Sequence, residues 1–325
     1  MTVIVRRAGF ALLTVAVATV LAACGSSSNG SSPGDGAGAG SSDGSTAPIA
    51  VVTSTNVWGD VVEQVGGQYT TVRPLVTDPS ADPHSFEPSA QAQLAVSKAE
   101  LIVKNGGGYD DWMTTLIDAS GSVAPVIDAV DLFASGGRAT SATGTSEADA
   151  EPFNEHVWYD LPTVDAVAQR VAEELSGLRP EQATYFKANA DAFADKIAGL
   201  TMKVQAIKVA HDGTGIAVTE PVPLYLTEAA GLVNETPEKF SAAIEEGTDV
   251  PPTVLNDTLA LFTGGQVAVL VYNAQTASPE TETVLDAAKQ NAVAVVPVTE
   301  TLPANKDYLS WMDETITALA TALNR

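Results

Sequence analysis

The chain has 325 residues, 45% of them apolar and only 17% charged, with 26 Gly, 18 Pro and a single Cys. That length suits about two lobes with sizeable cores, and one Cys excludes a disulfide framework or any multi-cysteine zinc or iron–sulfur site. Sixteen Lys and Arg against forty Asp and Glu leave a net charge of −24, which excludes nucleic acid as a partner because phosphate binding needs a basic face. An acidic surface is compatible with cationic ligands.

Residues 1–24 read MTVIVRRAGFALLTVAVATVLAAC. Arg6 and Arg7 form a positive start, and Ala8 to Val20 an apolar run of signal-peptide length. A membrane-spanning helix wants about 20 apolar residues, so this run is read as a cleaved export signal, with a short anchor helix as the other reading. The ending Leu21-Ala22-Ala23-Cys24 resembles the lipobox of bacterial lipoproteins. That resemblance implies removal of residues 1–23, lipidation of Cys24 and an extracytoplasmic protein anchored to the bacterial cell membrane. One acyl chain binds membrane only marginally, so stable anchoring needs several. Residues 24–47 then form a Gly/Ser tether without a large apolar side chain, spanning about 25–30 Å as a random coil.

From Ile49 the text alternates between β-branched runs and helical spacing. Strands are expected at 49–53, 72–76, 101–104 and 126–130, with a helix over 57–65 and a polar surface loop over 135–152. Phe186, Ala190, Phe193, Ile197, Leu200, Val204 and Ile207 recur at steps of four and three. They predict one long helix from Pro180 to Lys208, about 43 Å at 1.5 Å per residue. A helix packed across two lobes explains this seam; a coiled coil is the alternative. Further strands are expected at 216–219, 267–272 and 293–298, with helices at 253–263, 279–289 and 306–323. The expected fold class is α/β. It has an N-terminal lobe over 48–178, a linking helix over 179–209 and a C-terminal lobe over 210–325, each lobe a mainly parallel sheet flanked by helices. No internal sequence repeat is visible.

Three histidines stand out by their scarcity. His84 lies in Asp82-Pro83-His84-Ser85-Phe86-Glu87-Pro88, after a strand, where open α/β sheets collect ligands. His156 closes the low-complexity loop in Asn154-Glu155-His156-Val157-Trp158-Tyr159. His211 ends the long helix, where an imidazole suits the dipole. By spacing alone each could be a capping or surface residue.

The runs DPHSFEPSAQAQLAVSKAELIVKNGGGYDDWM (82–113) and NEHVWYDLPTVDAVAQRVAEELSGLRPEQATYFKANADAF (154–193) resemble the two signatures of the zinc/manganese ABC-importer substrate-binding lipoproteins. The resemblance covers roughly 49–325 and is strongest to about 200. It implies two lobes on a rigid helix, with one metal ion held by four side chains, two from each lobe. His84 and His156 match the N-lobe pair. Glu220, in Glu220-Pro221…Tyr225…Gly231-Leu232, matches the third ligand, a surface Glu opening a helix being the alternative. The fourth is usually Asp in Asp-Pro-Leu; here Glu300 stands in Val298-Thr299-Glu300-Thr301-Leu302, with Asp307 as an alternate. Glu87 could orient His84 or cap the following helix.

Imidazole and carboxylate both ligate first-row divalent metals, and two carboxylates balance a dication. Many zinc-specific members of the family carry a His-rich loop that 135–155 lacks, which adds weight to manganese, whereas the Irving–Williams order favours zinc. The implied function is capture of one divalent ion, zinc or manganese, for delivery to the membrane permease of an ABC importer, by a monomer and without catalysis. The alternatives are a surface adhesin or structural lipoprotein and a metal-dependent hydrolase. The hydrolase is disfavoured because four protein ligands would close the site to water and Gly106-Gly107-Gly108 lacks the Lys-Ser/Thr of a phosphate loop.

Overall fold

The computed structural model describes residues 47–78, 83–137 and 153–325. The export signal, Cys24, nearly all of the tether, Asp82 and most of the loop at 135–152 lie outside the described residues.

In chain order the first lobe runs β1 (Ile49–Thr55), α1 (Asn56–Gly66), β2 (Thr70–Val76), α2 (Ala90–Val96), β3 (Leu101–Lys104), α3 (Asp111–Ser120), β4 (Val126–Asp128) and α4 (Ala129–Ser135). Helices α5 (Leu161–Leu178) and α6 (Ala183–His211) follow. The second lobe runs β5 (Gly215–Val218), α7 (Leu224–Ala229), β6 (Val233–Asn234), α8 (Glu238–Glu245), α9 (Pro252–Thr263), β7 (Val269–Asn273), α10 (Pro279–Gln290), β8 (Ala294–Val298) and α11 (Tyr308–Leu323). Both sheets are parallel throughout, as α/β alternation requires. Their strand orders, β2-β1-β3-β4 and β6-β5-β7-β8, are the same when counted from the start of each lobe. The repeat absent from the sequence is therefore present in the topology. The strand expected over 126–130 stops at Asp128, whose side chain accepts from the Asp131 amide and starts α4.

Alternation along the central strands sorts side chains onto two faces. Val51, Ile216 and Val218 point into one continuous core, whereas Val52 and Ala217 point outward to smaller clusters under α2 and α3, and under α8 to α10. The continuous core takes in strands of both lobes together with α1, α5, α6 and α11. The seven seam residues of α6 are all buried, and the helix packs on α1 and α5 and on α7 and α11. Its α-helical part begins three residues later than expected, after a 3-10 turn at Pro180–Gln182. The seam also has a helical partner, because α5 runs along it. His211 is the last residue of α6, as a C-terminal imidazole should be. No helix among the described residues is long and apolar enough to cross a membrane.

Candidate metal centre

Parallel sheets gather function at the carboxyl ends of their strands, and His84, Tyr109, Glu220 and Glu300 follow β2, β3, β5 and β8. His84 follows β2. Its loop is pinned where Trp112 Nε1 donates to the Pro83 carbonyl at 2.8 Å and Phe86 packs on the Trp112 ring. Ser89, not Glu87, caps α2, and Glu87 is exposed.

After β3, Gly106 has a φ of +81°, and a Cβ there would fall 2.2 Å from the Asp128 carboxylate, so the turn needs glycine. Asp110 closes the turn by accepting from the Asn105 and Gly106 amides at 2.6 and 2.8 Å. This turn delivers Tyr109 into the centre. Its ring lies 4.8 Å from that of His84 and 6.0 Å from that of His156, and its hydroxyl donates to Glu300 at 3.4 Å. Burial first, then the Glu300 charge, pushes the phenol well above its ordinary range, so it remains a neutral donor.

His156 is fully buried. Asn154 Oδ1 lies 2.7 Å from His156 Nδ1 and also accepts from the His156 amide at 3.2 Å. An amide oxygen only accepts, so Nδ1 carries a proton and Nε2 is the ring atom turned towards the acids. That Nε2 has no hydrogen-bond partner. Asn105 Nδ2 steadies the same loop through the Glu155 carbonyl at 2.9 Å.

The second lobe supplies acids. Glu220, just beyond β5, is 3% exposed rather than solvated, and its Oε2 is unpartnered. Glu300, beyond β8, is 6% exposed and accepts from Asn273 Nδ2 at 2.8 Å, while Gln275 Oε1 accepts from its amide. Asp307 is elsewhere: it is the exposed N-cap of α11, accepting from the Ser310 amide at 2.7 Å.

One residue escaped the sequence reading. Glu245, the last residue of α8, places Oε1 3.3 Å from His84 Nε2 and 3.5 Å from His156 Nε2. Glu155 Oε1 lies 3.6 Å from His84, and one ligand atom each of His84, Glu155 and Glu245 fall within 4.8 Å of one another. The structure therefore joins His84 to His156 through Glu245, with Glu220 and Glu300 as the neighbouring buried acids. The available signal was Glu245-Glu246 directly before Gly247. Two acids at a helix C-terminus oppose the dipole.

The groups act on one another electrostatically. Burial disfavours charge on His84, yet the hydrogen bond it donates to Glu245 and the charges of Glu155, Glu245 and Glu300 carry it up to about 9. Glu220 is pushed up to about 8 by burial and then by the charges of Glu245 and Glu300. Burial raises Glu300 as well. For Glu245 burial is outweighed by the two imidazoles, which hold its carboxyl below the ordinary range. Two imidazoles and several acids with opposed protonation preferences gather in one cluster, as groups at functional sites do.

The lobes are held together around this cluster. Asn154 Nδ2 donates to the Pro221 carbonyl at 3.0 Å and Tyr225 donates to the Asn154 carbonyl. Asn56 and the Leu302 backbone exchange two bonds at 3.0 and 2.9 Å, and Tyr159 donates to the Thr299 carbonyl at 2.8 Å.

Comparison with known proteins agrees with this architecture. The manganese-binding lipoprotein MntA of Halalkalibacterium halodurans is 26% identical over 234 residues, 70% of this chain and 69% of that protein. The metal ABC transporter substrate-binding lipoprotein FimA of Streptococcus parasanguinis is 26% identical over 225 residues, 63% of this chain and 71% of its own. In fold, the periplasmic zinc-binding protein TroA of Treponema pallidum superposes with a TM-score of 0.70 at 18% identity, covering 86% of this chain and all of that one. The family profile described as zinc-uptake complex component A, periplasmic, matches residues 51–322. With almost all of its folded part matched, the chain belongs to that family of metal-binding components of ABC importers, which are not enzymes.

Proposed function

We propose that His84, His156, Glu220 and Glu300 hold one divalent transition-metal ion, zinc or manganese, between the two lobes. The protein, a monomer anchored through lipid on Cys24, then delivers it to the permease of an ABC importer. The observation that carries this reading is the fully buried His156 Nε2, without a hydrogen-bond partner and 3.5 Å from Glu245 Oε1, with Glu220 Oε2 and Glu245 Oε2 likewise buried and unpartnered. Buried polar atoms are rarely left unpaired, and a cation would satisfy all three together. Asn154 fixes the tautomer that a metal needs, as acceptors behind ligating imidazoles do. Neutral imidazole with carboxylate suits zinc and manganese alike. The adhesin alternative is not favoured, since the relatives are named for metal binding and metal ABC transport.

Binding to the folded state alone stabilises by about 4 kcal/mol at 1,000-fold excess over Kd. Added zinc or manganese should therefore raise the melting temperature of the metal-stripped protein, and His84→Ala should sharply reduce the rise. Equal metal-induced shifts in both proteins would overturn the assignment.

A further inference from the structure

We infer that Glu245 is a fifth ligand in this centre, and that its carboxylate favours an ion accepting five or six donors, such as manganese(II), over four-coordinate zinc. The inference rests on the metal-binding reading above and concerns which ion that site prefers.

Geometry singles Glu245 out. Its Oε1 faces the Nε2 atoms of both His84 and His156, at 3.3 and 3.5 Å. These are the atoms through which two imidazoles on different loops would bind one ion. Its Oε2 is buried without a partner, so one oxygen of the carboxylate has no hydrogen bond of its own. Its position in the helix points the same way. Glu245 ends α8 beside Glu246, with no basic residue in the last turn. A carboxylate there lies against the negative end of the helix, contrary to the usual placement of charges. Local rules broken without local compensation mark functional positions.

Donor count then decides the preference. Two imidazoles with Glu220, Glu300 and Glu245 supply five side chains, more if a carboxylate chelates. Zinc sites in proteins are predominantly four-coordinate, whereas manganese takes oxygen-rich, octahedral surroundings. A third carboxylate is therefore surplus for zinc and useful to manganese.

The test is Glu245→Gln in the full folded chain, titrated with zinc and with manganese against a calibrated chelator. Manganese affinity should fall about 10- to 100-fold and zinc affinity much less, the scale seen when groups supporting metal ligands are removed. Cobalt(II) gives an independent readout. The weak visible absorption of a five- or six-coordinate ion in wild type should become the stronger band of a four-coordinate ion in the variant. Glu245→Asp, which keeps the charge but withdraws the carboxylate, should shift both readouts in the same direction. Equal losses for the two metals, or none, with an unchanged cobalt spectrum, would overturn the inference. Failure of the wild-type protein to bind either metal would overturn the metal-binding reading instead.

Discussion

As a proposed metal ligand, Glu220 puts function and stability in opposition. It is 3% exposed, and burial together with Glu245 and Glu300 pushes its carboxyl up to about 8. The folded chain thus keeps this proton to a higher pH than the unfolded chain does. Stability is full below the ordinary carboxyl range and is lost as pH rises through the folded value. At about 1.4 kcal/mol per pH unit, tapering near the folded pKa, the loss from Glu220 alone is about 2 kcal/mol between pH 6 and pH 8. Glu220→Gln keeps the shape and cannot ionise. The metal-stripped variant should be more stable than wild type near pH 8, with the advantage shrinking by about 2 kcal/mol towards pH 6. Urea unfolding of the two proteins at both pH values measures this difference. His84, also raised, loses stability in the same direction in both proteins, so it cancels from the comparison to first order. The same variant should gain less from added metal than wild type. A difference between the proteins that does not change with pH would refute the reasoning.

At pH 7 both His84, raised to about 9, and Glu220, raised to about 8, hold protons that a metal must displace. Titration calorimetry in buffers of different ionisation enthalpy should show release of about two protons per ion, and affinity should rise with pH over that range. Asn154→Ala removes the acceptor behind His156 Nδ1 and should weaken metal binding about 10- to 100-fold in chelator competition. Asp307→Ala removes only a helix cap, so unfolding experiments should show a loss of about 1 kcal/mol with metal affinity unchanged. Cys24→Ala should release the protein from the membrane fraction into the soluble one, as cell fractionation will show.

Much of the scaffold was legible because the features that build it are periodic. The seam from Phe186 to Ile207 needed only its spacing, and all seven residues are buried. Strands β1 and β3 are β-branched runs covered on both faces, the pattern of a parallel sheet. By contrast β6 has two residues, too few for any alternation, and α8 lies in an acidic stretch that reads as solvated surface. Glu245 was hidden in that stretch because charge is abundant in this chain and only three-dimensional proximity to two imidazoles distinguishes it. His84 and His156 could be located because imidazole is scarce. Asp307, the alternate to Glu300, lies only seven residues further on, but the chain turns between them, and one becomes a cap while the other is buried beside Asn273.

The donors of the cluster divide by lobe and by element. With the ligands proposed above, nitrogen comes entirely from one lobe, His84 and His156, and oxygen entirely from the other, Glu220, Glu245 and Glu300. Neither half is a good chelator alone: one lacks the charge to neutralise a dication, and the other is a set of mutually repelling carboxylates. Tight binding thus depends on the effective concentration at which the shared core holds one half before the other. A transporter would then need no chemical trigger to unload the ion. Prising the nitrogen half from the oxygen half would suffice, and the bonds bridging them through Asn56, Asn154 and Tyr159 are the ones such a force would meet first.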